Sequence, residues 1–174
     1  MLLIFDLDGT LFEAKPVVKK AGQDTAVPGY AESLAVAIRE CGRLFPGVYE
    51  MLEKLYNDGY QLVICSKSPM EYIEQVLRHM GISGFFVSVY SSSGYTSKAK
   101  LVKEIVTPEI PCIVIGDTHG DISAAKENGL FSIAAMYGYG NKAMLCGADF
   151  FAESPGGIYR VIMSEPCRAY FCKK

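Results

Sequence analysis

The sequence lacks several features that would assign it to a broad functional class. Its 174 residues include 17 lysines and arginines against 19 acidic residues. They contain no long basic run, so a nucleic acid is not an expected partner. No apolar stretch is long enough to cross a bilayer, so we expect no membrane association. The N-terminus lacks a basic segment ahead of an apolar run and does not resemble a signal peptide, which predicts a cytoplasmic location.

The six cysteines form no CxxC pair. Cys65 and Cys112 lie inside apolar runs, where a thiol behaves as a small hydrophobic group. Because no secretory signal is evident, we expect reduced thiols. Cys167 and Cys172 could pair or bind a metal, although their spacing matches no common zinc pattern.

Short apolar runs alternate with helical patterns along the chain. The runs predict strands at 2–6, 61–66, 85–91, 112–117, 131–137 and 148–153. Three of them are nearly continuous, which is typical of central parallel strands covered on both faces. Ser68, Pro69 and Glu71 predict a capping box at the start of one intervening helix. The alternation predicts an α/β fold, a doubly wound (Rossmann-like) parallel sheet with helices on both faces.

One segment interrupts the alternation. Residues 13–45 contain no convincing strand, but they carry a helical apolar stripe. We expect a small helical cap insertion after the first strand, within a core domain made of residues 1–12 and 46–174. The alternative is a crossover connection with an extra helix, but the length of the segment favours a cap.

Several predicted elements begin or end with polar side chains. These are Asp6 and Asp8 after the first strand, Ser66 at the end of the second, Lys98 ahead of a helix, and Asp117 and Asp121 after the run at 112–117. Ligands bind outside the carboxyl ends of strands in an open parallel sheet, so these groups should meet at one edge. Two carboxylates two residues apart repel each other unless a cation or a charged substrate compensates. The set suits phosphoryl transfer, because a lysine and a magnesium ion reduce the repulsion between a carboxylate and a phosphate.

In this chemistry the carboxylates take different roles. Asp6 would attack phosphorus and form an aspartyl-phosphate, while Asp8 would protonate the leaving oxygen and later deprotonate water. Ser66 and the backbone N–H groups between Asp8 and Thr10 would hold phosphate oxygens. Magnesium prefers oxygen ligands and keeps several waters, so two carboxylates suffice to bind it.

The motifs resemble those of a known family. "DLDGT" at 6–10, the apolar run ending at Ser66, Lys98 before a helix, and "GDTHGD" at 116–121 resemble, in the same order, the four motifs of the haloacid dehalogenase-like (HAD) phosphohydrolases. "FPGVYEMLEKLYNDGYQLVICS" at 45–66, "YGYGN" at 137–141 and "CGADFFAESPGGI" at 146–158 resemble its phosphoglycolate phosphatase-like branch. The insertion is shorter than the full-size cap of that branch, which leaves the substrate open and allows a partner subunit, as in a homodimer, to cover the site.

The resemblance implies a role for each motif residue. It implies that Asp6 is the nucleophile, Asp8 the general acid/base, and Lys98 the cation that steadies the phosphoryl charge, with Lys100 as a competitor for that last role. The implied magnesium ligands are Asp6, Asp8 through its backbone carbonyl, Asp117 and, as a supporting residue, Asp121. The implied substrate-binding residues are Thr10, Ser66, Lys67 and Lys98.

Other residues near the motifs have structural explanations. We expect Thr10 to bond locally in its turn, with a phosphate contact as the second choice. His119 is interpreted as a loop histidine without a catalytic role. Tyr137 and Tyr139 are expected to shape a loop and not to contact substrate.

The leading hypothesis is a magnesium-dependent phosphatase that acts on a small phosphomonoester such as phosphoglycolate. A phosphomutase uses the same intermediate, but it needs a cap that retains the intermediate while it reorients. A phospho-accepting signalling domain does not need a second aspartate beside its nucleophile. A family member that only binds would not need the complete set of motif residues.

Overall fold

The computed structural model describes residues 1–22, 29–94 and 97–171. In these ranges six strands form one parallel sheet in the order β3-β2-β1-β4-β5-β6. The strands are β1 (Leu2–Phe5), β2 (Gln61–Ser66), β3 (Phe86–Ser91), β4 (Cys112–Gly116), β5 (Phe131–Ala135) and β6 (Phe150–Ala152). Each lies within a predicted apolar run or within one residue of it, and the predicted α/β fold is confirmed.

Helices connect the strands and cover the sheet. They are α1 (Ala14–Ala21), α2 (Tyr30–Cys41), α3 (Val48–Asn57), α4 (Met70–His79), α5 (Lys98–Ile105), α6 (His119–Glu127), α7 (Lys142–Leu145), α8 (Pro155–Met163) and α9 (Glu165–Phe171), with a 3₁₀ turn at Ser83–Phe85. None of the helices in the described ranges combines the length and the apolar character that crossing a membrane requires.

The side chains of the continuous apolar strands are buried on both faces of the sheet. Successive side chains of a strand point to opposite faces, so β1 sends Leu3 and Phe5 into one hydrophobic cluster and Leu2 and Ile4 into another. The first cluster includes buried residues of α3, α4 and α8, and the second includes residues of α5 and α6. The expected two-sided covering of the sheet is therefore present. Cys65 and Cys112 are buried, as expected, whereas Cys172 lies outside the described residues.

The strand order changes direction between β1 and β4. From β1 the sheet continues through β2 to β3 on one side, and from β4 through β5 to β6 on the other. The two strands pair in register, with Phe5 opposite Ile115. A crevice forms outside the carboxyl ends of neighbouring strands at such a reversal, and Asp6 and Asp117 lie at this point.

Helices α1 and α2 occupy the predicted insertion and pack on the core. Val17, Ala37 and Ile38 are fully buried in the hydrophobic cluster that contains Leu3 and Phe5 of β1. The two ends of the insertion meet where Arg43 Nε donates to Glu13 Oε2 over 2.9 Å. The division into a core and a cap domain stays a prediction, and residues 23–28 of the insertion lie outside the described ranges.

Two local predictions are wrong. The residue that precedes α4 is Pro69, without a side-chain cap, and the Ser68 hydroxyl donates instead to Asp8. A carboxylate attracts a hydroxyl donor more strongly than a neutral acceptor does, which favours this alternative. A capping box is found instead at α6, between Thr118 and Asp121. It starts the helix at His119, which is therefore a helical residue and not a loop residue.

Candidate active site

Three buried carboxylates meet at the reversal of the sheet. Asp6 follows β1, Asp117 follows β4, and Asp121 lies in the first turn of α6. One carboxylate oxygen from each lies within 4.8 Å of the others. Asp6 is 8% exposed and the other two are fully buried. The structure thus brings together three of the acidic residues that the sequence singled out.

Lys98 bridges two of these carboxylates. Its Nζ lies 2.8 Å from Asp6 Oδ1 and 2.5 Å from Asp121 Oδ1. It is the first residue of α5 and is buried, whereas Lys100 is exposed. Burial favours the neutral amine, but the two carboxylates outweigh burial and raise the pKa of Lys98 above its ordinary value. Lys98, and not Lys100, therefore carries a permanent positive charge into the site.

The carboxylates outnumber this one cation. Burial raises the pKa of Asp6 to about 7; Asp121 and Asp117 add to the effect, and Lys98 opposes it. Burial also raises the pKa of Asp117. In both cases a neighbouring carboxylate adds to the effect of burial. Among the described residues, the three buried acids share one buried ammonium group, which is an imbalance of charge. An additional positive charge would remove it.

Backbone N–H groups orient Asp117. Its Oδ2 accepts from the N–H groups of Tyr139, at 2.6 Å, and Gly140, at 3.2 Å. Gly9 packs on the other side at φ +89°, and a Cβ at this position would overlap the carboxylate. The glycine of "DLDGT" is therefore required twice, for its backbone conformation and for the space that Asp117 fills.

Thr10 also belongs to the surroundings of Asp117. Its hydroxyl donates to Asp117 Oδ1 over 3.3 Å, and its side chain is fully buried. The backbone N–H of Thr10 bonds within the turn as expected, donating to the Leu7 carbonyl over 3.3 Å, whereas its hydroxyl uses the carboxylate across the sheet reversal as its acceptor. A substrate contact of Thr10 stays a prediction.

Asp121 uses both oxygens within the protein. Oδ1 accepts from Lys98, and Oδ2 accepts from the N–H of Thr118 at 3.0 Å and from its hydroxyl at 2.6 Å. These bonds make Asp121 part of a helix cap and an anchor for Lys98. Gly116 leaves room for the carboxylate, because a Cβ there would overlap it.

Asp8 has a different environment. Its Oδ2 accepts from Ser68 Oγ at 2.6 Å, and its Oδ1 accepts from Tyr72 Oη at 2.8 Å. Burial raises the pKa of Asp8, and the two hydroxyls partly oppose that shift. Sequence reasoning missed both partners. Ser68 precedes the N-cap Pro69 and lies outside α4, so helical spacing gave no signal that pairs it with Tyr72.

A cleft of about 420 Å³ opens onto these groups. Its lining residues are Asp6, Asp8, Ser66, Lys67, Ser68, Lys98, Thr118, His119, Gly120, Gly140, Asn141 and Met144. Of the predicted substrate-binding residues, Ser66, Lys67 and Lys98 line the cleft, and Thr10 is not among the lining residues. Lys67 is exposed, with its Nζ beside Gly120. In the described ranges, no residue of the insertion is part of this lining.

His119 and the two tyrosines lie around this cleft. His119 is exposed, and its Nε2 lies 3.0 Å from Ser123 Oγ. Tyr137 and Tyr139 belong to the loop that follows β5, as expected, and neither is among the lining residues.

Comparison with known proteins identifies similar sequences and structures. A family model described as haloacid dehalogenase-like hydrolase matches residues 29–135. The phosphoglycolate phosphatase of Vibrio parahaemolyticus is 26% identical over 132 residues, which cover 71% of this chain and 58% of that protein. The 5'-nucleotidase of Pseudomonas aeruginosa is 29% identical over 124 residues, which cover 67% of this chain and 56% of that protein. The chain therefore spans a little over half the length of these relatives.

A solved structure supports the same likeness across the fold. The haloacid dehalogenase-like family hydrolase SP0104 from Streptococcus pneumoniae superimposes with a TM-score of 0.75 at 25% identity. The match covers 92% of this chain and 97% of that one. It extends beyond the residues of the family model and includes most of the sheet and its helices.

Proposed function

The chain belongs to the haloacid dehalogenase-like hydrolase family, and on this basis we propose that it is a magnesium-dependent phosphatase that hydrolyses a small phosphomonoester through an aspartyl-phosphate on Asp6. One observation carries the proposal. Oxygens of Asp6, Asp117 and Asp121 lie within 4.8 Å of one another, beside an ammonium group and two residues from a further carboxylate.

The donor set suits a hard divalent cation. Carboxylate and carbonyl oxygens are the ligands that Mg²⁺ prefers. Asp6, Asp117 and the backbone carbonyl of Asp8 would hold the ion, while Asp121, whose oxygens bond Lys98 and Thr118, supports the site from behind. When bound, Mg²⁺ neutralises carboxylate charge and polarises phosphate oxygens.

The residues of the chain divide the remaining chemistry. Lys98 holds Asp6 Oδ1, so we assign Oδ2 to the attack on phosphorus. As the Oδ2–P bond forms, the bond from phosphorus to the leaving oxygen breaks, and protonated Asp8 gives its proton to that oxygen. Asp8 then takes a proton from water, whose oxygen attacks the phosphorus and releases inorganic phosphate and free Asp6. Ser66 and Lys67 bind the phosphoryl oxygens during both steps.

The substrate is proposed to be a small phosphorylated metabolite, with phosphoglycolate as the first candidate. The relatives named above are a phosphoglycolate phosphatase and a 5'-nucleotidase, so the likeness to them supports a phosphomonoester without selecting one leaving group. Hydrolysis is favoured over mutase chemistry, because the described insertion residues do not line the cleft and would not retain a reorienting intermediate. The cytoplasmic location and the homodimer stay predictions.

Phosphate release tests the proposal directly. The purified chain is incubated with phosphoglycolate, nucleoside 5'-monophosphates, sugar phosphates and para-nitrophenyl phosphate, with Mg²⁺ or with a chelator. We expect Mg²⁺-dependent release from at least one of them, and none from Asp6→Asn. Labelling by a phosphodonor without turnover would instead support a signalling domain, and isomerisation of a sugar phosphate without release would support a mutase.

A further inference from the structure

The loop "YGYG" at 137–140 lies directly against Asp117. In addition to the two N–H bonds to Oδ2, the loop approaches so closely that a Cβ at Gly138 would overlap Asp117 Cβ. A Cβ at Gly140 would overlap the backbone carbonyl of Asp117. Only backbone atoms fit between the loop and this carboxylate, so any shift of the loop changes how Asp117 is held.

The same loop also contacts the insertion. The N–H of Lys15, in the first turn of α1, donates to Tyr139 Oη over 3.3 Å. The first N–H groups of a helix need external acceptors, and Glu13 at the N-cap of α1 provides no side-chain cap. The hydroxyl of Tyr139 therefore serves as a cap for α1. The Lys15 ammonium group lies 4.1 Å from the centre of the tyrosine ring and adds a cation–π contact.

The other end of the insertion contacts the loop as well. The Phe45 ring lies 5.8 Å from the Tyr139 ring and 5.2 Å from the Tyr137 ring. Tyr137 is tied to the core, because its hydroxyl donates to the Thr10 carbonyl over 2.7 Å. Tyr139 has no such bond to the core from its side chain in the described ranges; its hydroxyl and ring contact Lys15 and Phe45.

We propose that Tyr139 is a positioning residue that couples the placement of the insertion to the orientation of Asp117, and thereby to the affinity for Mg²⁺; this inference rests on the proposed metal site. Its side chain holds both ends of the insertion while its N–H holds the carboxylate. Coupling between two sites is reciprocal, so occupation of the metal site stabilises α1, and displacement of α1 weakens the metal site.

Thermal unfolding with increasing Mg²⁺ tests the inference without any activity measurement. A ligand that binds the folded state raises the melting temperature, so the titration reports Mg²⁺ affinity for each variant relative to its own metal-free state. Tyr139→Ala keeps the N–H but removes the ring and hydroxyl that fix the loop against the insertion. We expect it to need about tenfold more Mg²⁺, the typical cost of disturbing a group that positions a metal ligand. Tyr139→Phe, which keeps the ring and the N–H, should stay within about twofold of the wild type.

Tyr49→Ala is the matched control, because it also removes an aromatic ring that packs edge-on against a phenylalanine, Phe85, and in the described ranges this ring has no ring contact with the loop. It should lower the metal-free melting temperature and leave the Mg²⁺ dependence unchanged. A wild type that responds to Mg²⁺ with an unchanged Tyr139→Ala would overturn the inference and leave the proposed function standing. A wild type without any Mg²⁺ response would overturn both.

Hydrogen exchange tests the reciprocal direction. We expect Mg²⁺ to slow amide exchange in the first turn of α1 in the wild type, and this protection to disappear in Tyr139→Ala. Tyr139→Phe separates the two links, because it removes the hydroxyl that caps Lys15 and keeps the ring that packs on Phe45 and holds the loop. It should lose most of the protection in α1 while its Mg²⁺ affinity stays close to that of the wild type. Equal protection of α1 in all three proteins would contradict the coupling.

Discussion

Asp6 and Asp8 are separated by one residue, yet their surroundings differ in kind. Asp6 lies among charges, with Lys98 at 2.8 Å and two more carboxylates within the same small volume. Asp8 accepts hydrogen bonds from the neutral hydroxyls of Ser68 and Tyr72. Burial raises the pKa of both, but among the described residues a positive charge lies within hydrogen-bond distance of Asp6, at Lys98, and not of Asp8.

This difference matches two chemical tasks. A nucleophile must be ionised, and a lysine together with a metal ion favours the ionised form. A general acid must gain and lose a proton near the working pH, and a buried carboxyl held by neutral donors retains a raised pKa. The side-chain partners, and not the shared motif, therefore distinguish the two aspartates.

The largest effect should follow from removing the nucleophile. Asp6→Asn keeps the shape of the side chain but lacks the attacking charge, so we expect turnover to fall by about 10⁴-fold or more for every substrate. Rates of phosphate release measure the loss, and circular dichroism checks that the fold is intact. Activity close to that of the wild type, with deamidation excluded by mass spectrometry, would contradict the mechanism.

Removing the general acid should have a smaller effect that depends on the substrate. We expect Asp8→Asn to lower turnover of an alkyl phosphate by about 10²- to 10⁴-fold, since proton donation contributes this much. The loss should be smaller for para-nitrophenyl phosphate, whose leaving group departs without a proton. The ratio of the two rates sharpens the comparison, because Asp6→Asn should depress both substrates alike. Equal losses in Asp8→Asn would remove the distinct role of Asp8.

The charged residues Asp6, Asp117 and Lys98 of the site could be predicted from the sequence. Asp6 and Asp117 end predicted strands, and the edge of a parallel sheet brings strand ends together whatever the details of packing. Lys98 was distinguished from Lys100 by its position at the start of a helix and by the family motif. These inferences depend on strand ends and helix starts, which local patterns encode.

The hydrogen bonds that neutral donors make to Asp8 and Asp117 could not be predicted in the same way. The sequence predicts Ser68 as part of a helix cap, because a serine before Pro69 has a local explanation and the competing acceptor, Asp8, lies 60 positions away. The bond from Tyr139 N–H to Asp117 has no sequence signature, since any residue except proline offers a backbone donor. Contacts of this kind depend on packing between distant segments.

The Mg²⁺ dependence of thermal stability should distinguish Asp117 from Asp8. Asp117→Asn removes one proposed ligand charge, so we expect the Mg²⁺ concentration for half-maximal thermal stabilisation to rise by at least about 10- to 100-fold, the range found for groups that merely orient ligands. Asp8→Asn keeps its backbone carbonyl and should stay near the wild-type value. A similar Mg²⁺ response in wild type and Asp117→Asn would exclude Asp117 as a ligand.

The smallest effect concerns the hydroxyl partners of Asp8. Tyr72→Phe removes a hydrogen bond that lowers the pKa of Asp8, so this pKa should rise further. The protonated acid then persists to higher pH, and the alkaline limb of kcat/KM should move upward. A bond worth about 0.5 to 1.5 kcal/mol corresponds to a shift of about half to one pH unit. Tyr60→Phe, whose hydroxyl contacts Met163, is the control and should leave the profile unchanged. If the alkaline limb of Tyr72→Phe moved downward instead, its titrating group would not be an acid that these hydroxyls hold in its ionised form.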